Sequence, residues 1–256
     1  MSHFSLMDVM SLGGLEMVTL EQYGAPPRIS RLALEHVLSL VRGFWCFDYE
    51  GDPTRPHALL SAGGHSDGFI NLGDLLKDYK GVRKVLASNL LWILKNRWEG
   101  KVDWVVGSDT SATALAGSMV ELLGAKHAKM VKTEDERGKR QVWDPANGQI
   151  GEDEVVLHIE ELTTTGATPL AVRRGVRLGN PDLVPEQWVP YLPIVVDRAP
   201  EQISCIEGSV VLPLFRYDIK TWTPEECQEH GPCKEGSPAI RPREGNNWAR
   251  LSGKAA

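Results

Sequence analysis

The chain has 256 residues, with 28 Lys and Arg against 34 Asp and Glu and a formal net charge of -6. That length allows one large domain with extensions, and 42% hydrophobic residues supply a core that needs no staple. The acidic balance excludes a protein that wraps nucleic acid by charge alone, but it leaves anionic small molecules open through local basic clusters.

No run is long and apolar enough for a membrane helix, and the opening MSHFSLMDVMSLGGLEM lacks the basic and apolar regions of a signal peptide. Four cysteines are too few for a disulfide framework. The expectation is a reduced, cytoplasmic, soluble protein without membrane or nucleic-acid partners.

In chain order, residues 1–28 read as an extension that ends near the breaker Ala25-Pro26-Pro27. Leu34, Val37, Leu38 and Val41 then fall on one helical face. Val82, Leu86, Leu90 and Ile93 form a second stripe, ending before Trp98-Glu99-Gly100. Val102 to Gly107 predicts a buried strand. Leu115, Met119, Leu122 and Leu123 predict a helix closed by Gly124. Lys132 to Gln141 is too charged to pack and reads as a solvated loop.

Val155–Ile159 predicts a second buried strand, and Pro169 marks the next helix start with Thr168 as its cap. Further strands are expected over 191–196 and 209–214. Apolar strands alternating with helical stripes indicate an α/β fold with a parallel sheet flanked by helices. The tail from Pro224 is rich in Pro, Gly and charge and reads as irregular.

The segment VVLHIEELTTTGAT carries the chemistry. A strand delivers Glu160 and Glu161 to its C-terminal end, where open α/β sheets bind ligands. Thr163, Thr164, Thr165, Gly166, Ala167 and Thr168 then lead into a helix, and backbone N–H groups there form a phosphate cradle. Ionised carboxylates only accept hydrogen bonds, so they suit the hydroxyls of a sugar that carries the phosphate. The plainer alternative is an acidic, threonine-rich turn that caps a helix.

This stretch resembles the 5-phosphoribosyl-1-pyrophosphate (PRPP) signature of type I phosphoribosyltransferases. Leu60–Asn71 resembles the base-binding segment of the orotate branch, and Val105–Thr113 resembles its pyrophosphate loop. Together the three cover roughly residues 30 to 180. The resemblance implies a type I phosphoribosyltransferase-like sheet with a small hood over 29–215, an extension before it and an irregular tail over 216–256. It also implies transfer of the phosphoribosyl group of PRPP to orotate or a related nitrogenous base, with release of pyrophosphate. Mg²⁺ would arrive on PRPP with no direct protein ligand, and relatives are usually homodimers.

By the same resemblance Glu160, Glu161, Lys132 and Arg137 are the catalytic candidates. Thr163–Thr168 would hold the 5′-phosphate. Ser108, Asp109, Thr110 and Ser111, joined by Lys139 and Arg140, would face pyrophosphate, and Ser61, His65, Phe69 and Ile70 the base. Three departures stand out. The acid pair is Glu-Glu, one methylene longer at the second acid than the family's usual pair. Ser61 and Gly64 occupy positions where the orotate branch carries Lys and Arg. Asp135 and Arg137 stand where its mobile loop has Lys and His. A PRPP- or nucleotide-sensing regulator on the same scaffold is therefore the second reading, because the departures fall in the catalytic parts.

Smaller signals remain. Cys227, His230 and Cys233 at three-residue intervals offer three zinc ligands, with Cys205 as a candidate fourth; ordinary reduced cysteines are the alternative. Cys46, among aromatic residues, and His158, inside an expected strand, read as core residues.

Overall fold

The structure, a computed structural model, describes residues 3–4, 9–23, 27–135, 138–199 and 203–253. The chain forms two compact units. One combines residues 1–33 with 72–217, the other residues 34–71 with 218–256.

The larger unit is built on parallel strands. Trp104–Val106 lies between Lys126–Ala128 and Val156–His158, parallel to both. The same segment continues as Glu160–Thr163, which pairs parallel with Tyr191–Asp197, itself parallel to Ser209–Arg216. Residues 156–163 thus connect both halves of the sheet, and the Ile159 N–H bonds the Val106 carbonyl at 2.9 Å across the joint. Val105, Val106, Val156, Leu157, Ile194, Val195 and Val196 are all fully buried. Such unbroken apolar runs belong to strands covered on both faces.

Helices supply the cover. Lys80–Lys95 buries Val82, Val85, Leu86, Leu90 and Leu94, and Ser111–Leu123 buries Leu115, Ala116 and Met119. The latter ends on Gly124 in the left-handed conformation, as the sequence predicts. The strands expected over 102–107, 155–159, 191–196 and 209–214 are all present, each within a few residues of its expected bounds.

Three expectations are corrected; the smallest is Cys46, read as a core residue, which is exposed on the strand Phe44–Cys46. The charged stretch 132–141 is not a free loop. Met130–Asp135 and Gly138–Trp143 pair antiparallel, with Met130, Gln141 and Trp143 turned inward and buried. This hairpin packs on the helix Ala167–Gly179. Gly175 and Gly179, one turn apart on that helix, make the approach possible: a Cβ on Gly175 would stand 2.1 Å from the Gln141 carbonyl oxygen, and one on Gly179 would stand 2.4 Å from Trp143 Cβ.

The tail is not irregular either. In the smaller unit, His57–Leu59 and His65–Ser66 form a hairpin, flanked by the tail strands Ala239–Ile240 and Thr221–Trp222. Phe44–Cys46 pairs with Gly68–Ile70. Trp45, Ala58 and Leu251 form the core, packed with Phe47, Phe69, Ile240 and Trp248. The helix Pro224–His230 starts on a capping box in which Thr223 and Glu226 bond each other's backbone N–H. Short elements, each with only one or two buried positions, hide their periodicity in a Pro- and Gly-rich composition.

Candidate active site

The C-terminal ends of the strands Trp104–Val106 and Glu160–Thr163 lead to one cleft of about 370 Å³. It is lined by Ser108, Asp109, Thr110, Ser111, Lys132, Arg140, Gln141, Glu161, Ala167, Thr168 and Ala171. Nine of these eleven are site residues expected from the sequence; Gln141 and Ala171 are additions. Two helices begin at the cleft, one at Ser111 and one at Ala167. Their unpaired N–H groups and positive dipole ends make each start suited to an anion.

The second helix begins two residues before the expected Pro169. Gly166, in the left-handed conformation (φ 75°), is its N-cap. Pro169 is tolerated because the first four helical N–H groups have no intrahelical partner to lose. The backbone of Ala167 and Thr168 is thereby placed at the cleft. Thr165 is exposed and Thr164 half-buried, whereas Thr163 is buried with no hydrogen-bond partner for its Oγ1 among the described residues.

The loop 108–111 is held from two sides. Ser108 donates to Glu160 through its backbone N–H (3.2 Å) and its hydroxyl (2.6 Å). Gln141 bonds the Asp109 backbone, and the Lys132 N–H donates to Asp109 Oδ2 at 3.3 Å. The hairpin that carries Lys132 and Arg140 is therefore tied to the loop these cations accompany. The Asp109–Thr110 peptide is cis.

The two acids have different surroundings. Glu160 is fully buried and faces inward, while Glu161 lines the cleft with one oxygen, Oε2, buried and unpartnered among the described residues. His158 Nε2 lies 2.9 Å from Glu160 Oε1, and Arg173 Nε donates to His158 Nδ1 at 3.5 Å. Arginine only donates, so Nδ1 accepts and the imidazole proton sits on Nε2, pointing at Glu160. Burial, then the Arg173 charge, hold His158 well below its ordinary value, so it is a neutral donor. This agrees with its reading as a core histidine. Arg173 is anchored in turn by Ser209 at 2.7 Å and by the Trp188 ring at 4.2 Å.

Burial raises both carboxyls, and at Glu161 the neighbouring Glu160 charge adds to the effect. Donors from Ser108 and His158 favour the ionised form of Glu160. The proton the pair retains therefore belongs on Glu161.

Arg137 and the side chain of Lys139 lie outside the described residues. Ser61, His65, Phe69 and Ile70 belong to the smaller unit. There Ile70 is buried, Phe69 packs edge-on against Trp248, and His65 Nδ1 lies 3.1 Å from His57 Nε2. His230 is exposed beside Glu229, and Cys205 is exposed in the larger unit, so neither joins Cys227 and Cys233.

Orotate phosphoribosyltransferase from Aeropyrum pernix superposes with a TM-score of 0.50 at 16% identity, over 77% of this chain and 96% of that one. The chain has the type I phosphoribosyltransferase fold. Adenine phosphoribosyltransferase from Thermoanaerobacter pseudethanolicus matches at a TM-score of 0.40 and 16% identity, over 59% of this chain and 88% of its own. UMP synthase from Leishmania donovani matches at 0.43 and 16%, over 61% of this chain; the chain spans only 32% of that protein. No family model matches the chain, and no curated protein matches its sequence.

Proposed function

We propose that the cleft binds PRPP and that the protein transfers its phosphoribosyl group to a nitrogenous base, orotate or a related one. The observation that carries this reading is the convergence of two helix starts and two cations, Lys132 and Arg140, on one cleft that also holds a carboxylate. PRPP has two anionic ends joined by a hydroxyl-bearing sugar, and the cleft offers a counterpart for each.

In this reading Thr163–Thr168 hold the 5′-phosphate through the helix start at Ala167. Ser108–Ser111, with Lys132 and Arg140, hold pyrophosphate, and Arg137 and Lys139 of the same segment add to that charge. The C1–O bond breaks with its electron pair leaving on pyrophosphate, a C1–N bond forms, and the base loses its proton to solvent. Fixed cations and N–H groups stabilise the charge that develops on the leaving group. Glu161 takes the ribose hydroxyls through its unpartnered oxygen, and Glu160 positions the Ser108 loop from behind.

The Asp109 carboxylate at the cleft fits the water shell of a hydrated Mg²⁺ carried by PRPP, with no direct protein ligand to the ion. Bound there, the ion would neutralise part of the pyrophosphate charge.

A second reading is favoured by one observation: Glu160 is committed to Ser108 and His158 and turned from the cleft. A PRPP sensor that binds without turnover needs only the phosphate-holding parts. Pyrophosphate release from Mg-PRPP, with orotate, other pyrimidines and purines as acceptors, decides between them. Release with any base supports the transferase. Silence with every base, alongside PRPP binding in a calorimetric titration, supports the sensor, and absence of binding overturns both.

A further inference from the structure

Four side chains with lone pairs meet in the smaller unit. Those of His57, His65, Cys227 and Cys233 bring one ligand atom each to within 4.8 Å of one another. His57 Nε2 lies 3.1 Å from His65 Nδ1, 3.5 Å from Cys227 Sγ and 3.6 Å from Cys233 Sγ, and His65 Nδ1 lies 3.2 Å from Cys233 Sγ. A tetrahedron with metal–nitrogen bonds of about 2.05 Å and metal–sulfur bonds of about 2.3 Å has edges of about 3.3 Å between nitrogens and about 3.6 Å between nitrogen and sulfur. The two distances from His57 Nε2 to sulfur, 3.5 and 3.6 Å, equal that edge, and the two at His65 Nδ1, 3.1 and 3.2 Å, fall 0.2–0.4 Å inside theirs.

The surrounding bonds point the same way. The Ser237 hydroxyl donates to the Arg55 carbonyl, so toward His57 Nδ1, 2.8 Å away, it can only accept. His57 therefore carries its proton on Nδ1 and presents a bare Nε2 to the cluster. A hydrogen-bonded second nitrogen is the usual support of a metal-bound histidine. The Cys233 backbone N–H points at Cys227 Sγ at 3.4 Å, as a donor to a thiolate does. His57 and Cys227 are fully buried.

We propose that His57, His65, Cys227 and Cys233 form a structural Zn²⁺ site. Two thiolates and two imidazoles in a tetrahedron suit zinc, and with all four positions filled by protein no place remains for substrate. The site ties the hairpin 57–66 to the tail segment 227–233 inside a unit assembled from two distant stretches of chain. A small core of this kind gains most from a staple. Binding expels the two thiol protons as the cysteines become thiolates.

The test uses the full chain purified without chelator, with metal content by mass spectrometry as the first readout. About one zinc per chain is expected, together with two protons released per ion on refilling the stripped protein in weak buffer. Co²⁺ in place of zinc should give the intense visible bands of a tetrahedral thiolate site. Stripping should lower the melting temperature and zinc should restore it. His230→Ala and Cys205→Ser, outside the cluster, should keep a full equivalent, whereas Cys233→Ser should lose most of it. A chain that holds no zinc after incubation and desalting, melts at the same temperature with and without it, or pairs Cys227 with Cys233 in a disulfide overturns the proposal. None of these readouts depends on PRPP, so the site stands or falls apart from the proposed activity.

Discussion

Gln141 clamps the backbone of Asp109 from both sides: its Oε1 accepts from the Asp109 N–H at 3.0 Å while its Nε2 donates to the Asp109 carbonyl at 2.9 Å. A primary amide is the side chain that can do both. Replacing it by Leu leaves a partly buried N–H and C=O without partners, at a cost of about 1–3 kcal/mol. Gln141→Leu should weaken PRPP binding about tenfold, the equivalent of about 1.4 kcal/mol, in a calorimetric titration. Unchanged affinity would show that the loop 108–111 keeps its shape without the clamp.

Gly175 tests the docking of the hairpin on its helix. In an exposed helix Gly→Ala stabilises by up to about 1 kcal/mol. Here the new methyl meets the Gln141 carbonyl at 2.1 Å and Met130 Cε at 2.8 Å. Gly175→Ala should therefore destabilise by about 1–3 kcal/mol in urea unfolding. A gain in stability would mean that the hairpin does not lie against this turn.

Glu161 should make the protein less stable as pH rises. Its folded-state value is pushed above the ordinary 4.5 by burial and by Glu160. The native chain then holds a proton that the unfolded chain has released, and stability falls from near pH 4.5 upward through the raised value. The melting temperature of Glu161→Gln relative to the parent should rise between pH 5 and pH 8. A flat difference would place the retained proton elsewhere.

Glu154 has the opposite sign. Hydrogen bonds from Lys126, Trp104 Nε1 and the Gly151 N–H hold it down at about 2. Its contribution is complete above the ordinary value of 4.5 and is lost as pH falls toward 2. Glu154→Gln should thus be less stable than the parent at pH 7 and converge with it at pH 2 to 3. Equal losses at both pH values would assign the effect to packing against Trp104.

The sheet of the larger unit was legible because each central strand is a short apolar run closed by Gly or polar residues, and each covering helix keeps a stripe of Leu, Val and Met. The segment 160–168 that borders the cleft was legible for a similar reason: Glu160, Glu161 and the Thr-Gly loop are contiguous. The hairpin was not, since among its described side chains only Met130, Gln141 and Trp143 turn inward, and the remaining positions are mostly charged. Gly175 and Gly179 were its one trace, readable only with the partner known. Among the cysteines, nearness in sequence pointed to His230, which is exposed. The histidines that do meet Cys227 and Cys233 lie about 170 positions earlier, brought there by strand pairing.

The smaller unit also sets an order of events during synthesis. Residues 34–71 leave the ribosome early, but the strands that flank their hairpin, Thr221–Trp222 and Ala239–Ile240, follow only after the whole of 72–217. Until then the hairpin 57–66 has open edges, and Trp45 and Ala58 lack the cover of Leu251. Exposed edges and bare aromatic surface are what chaperones bind and what aggregates. A nascent chain stalled before residue 218 would therefore carry a complete parallel sheet and an unfinished neighbour, and the translation of the last segment becomes the step that protects the first.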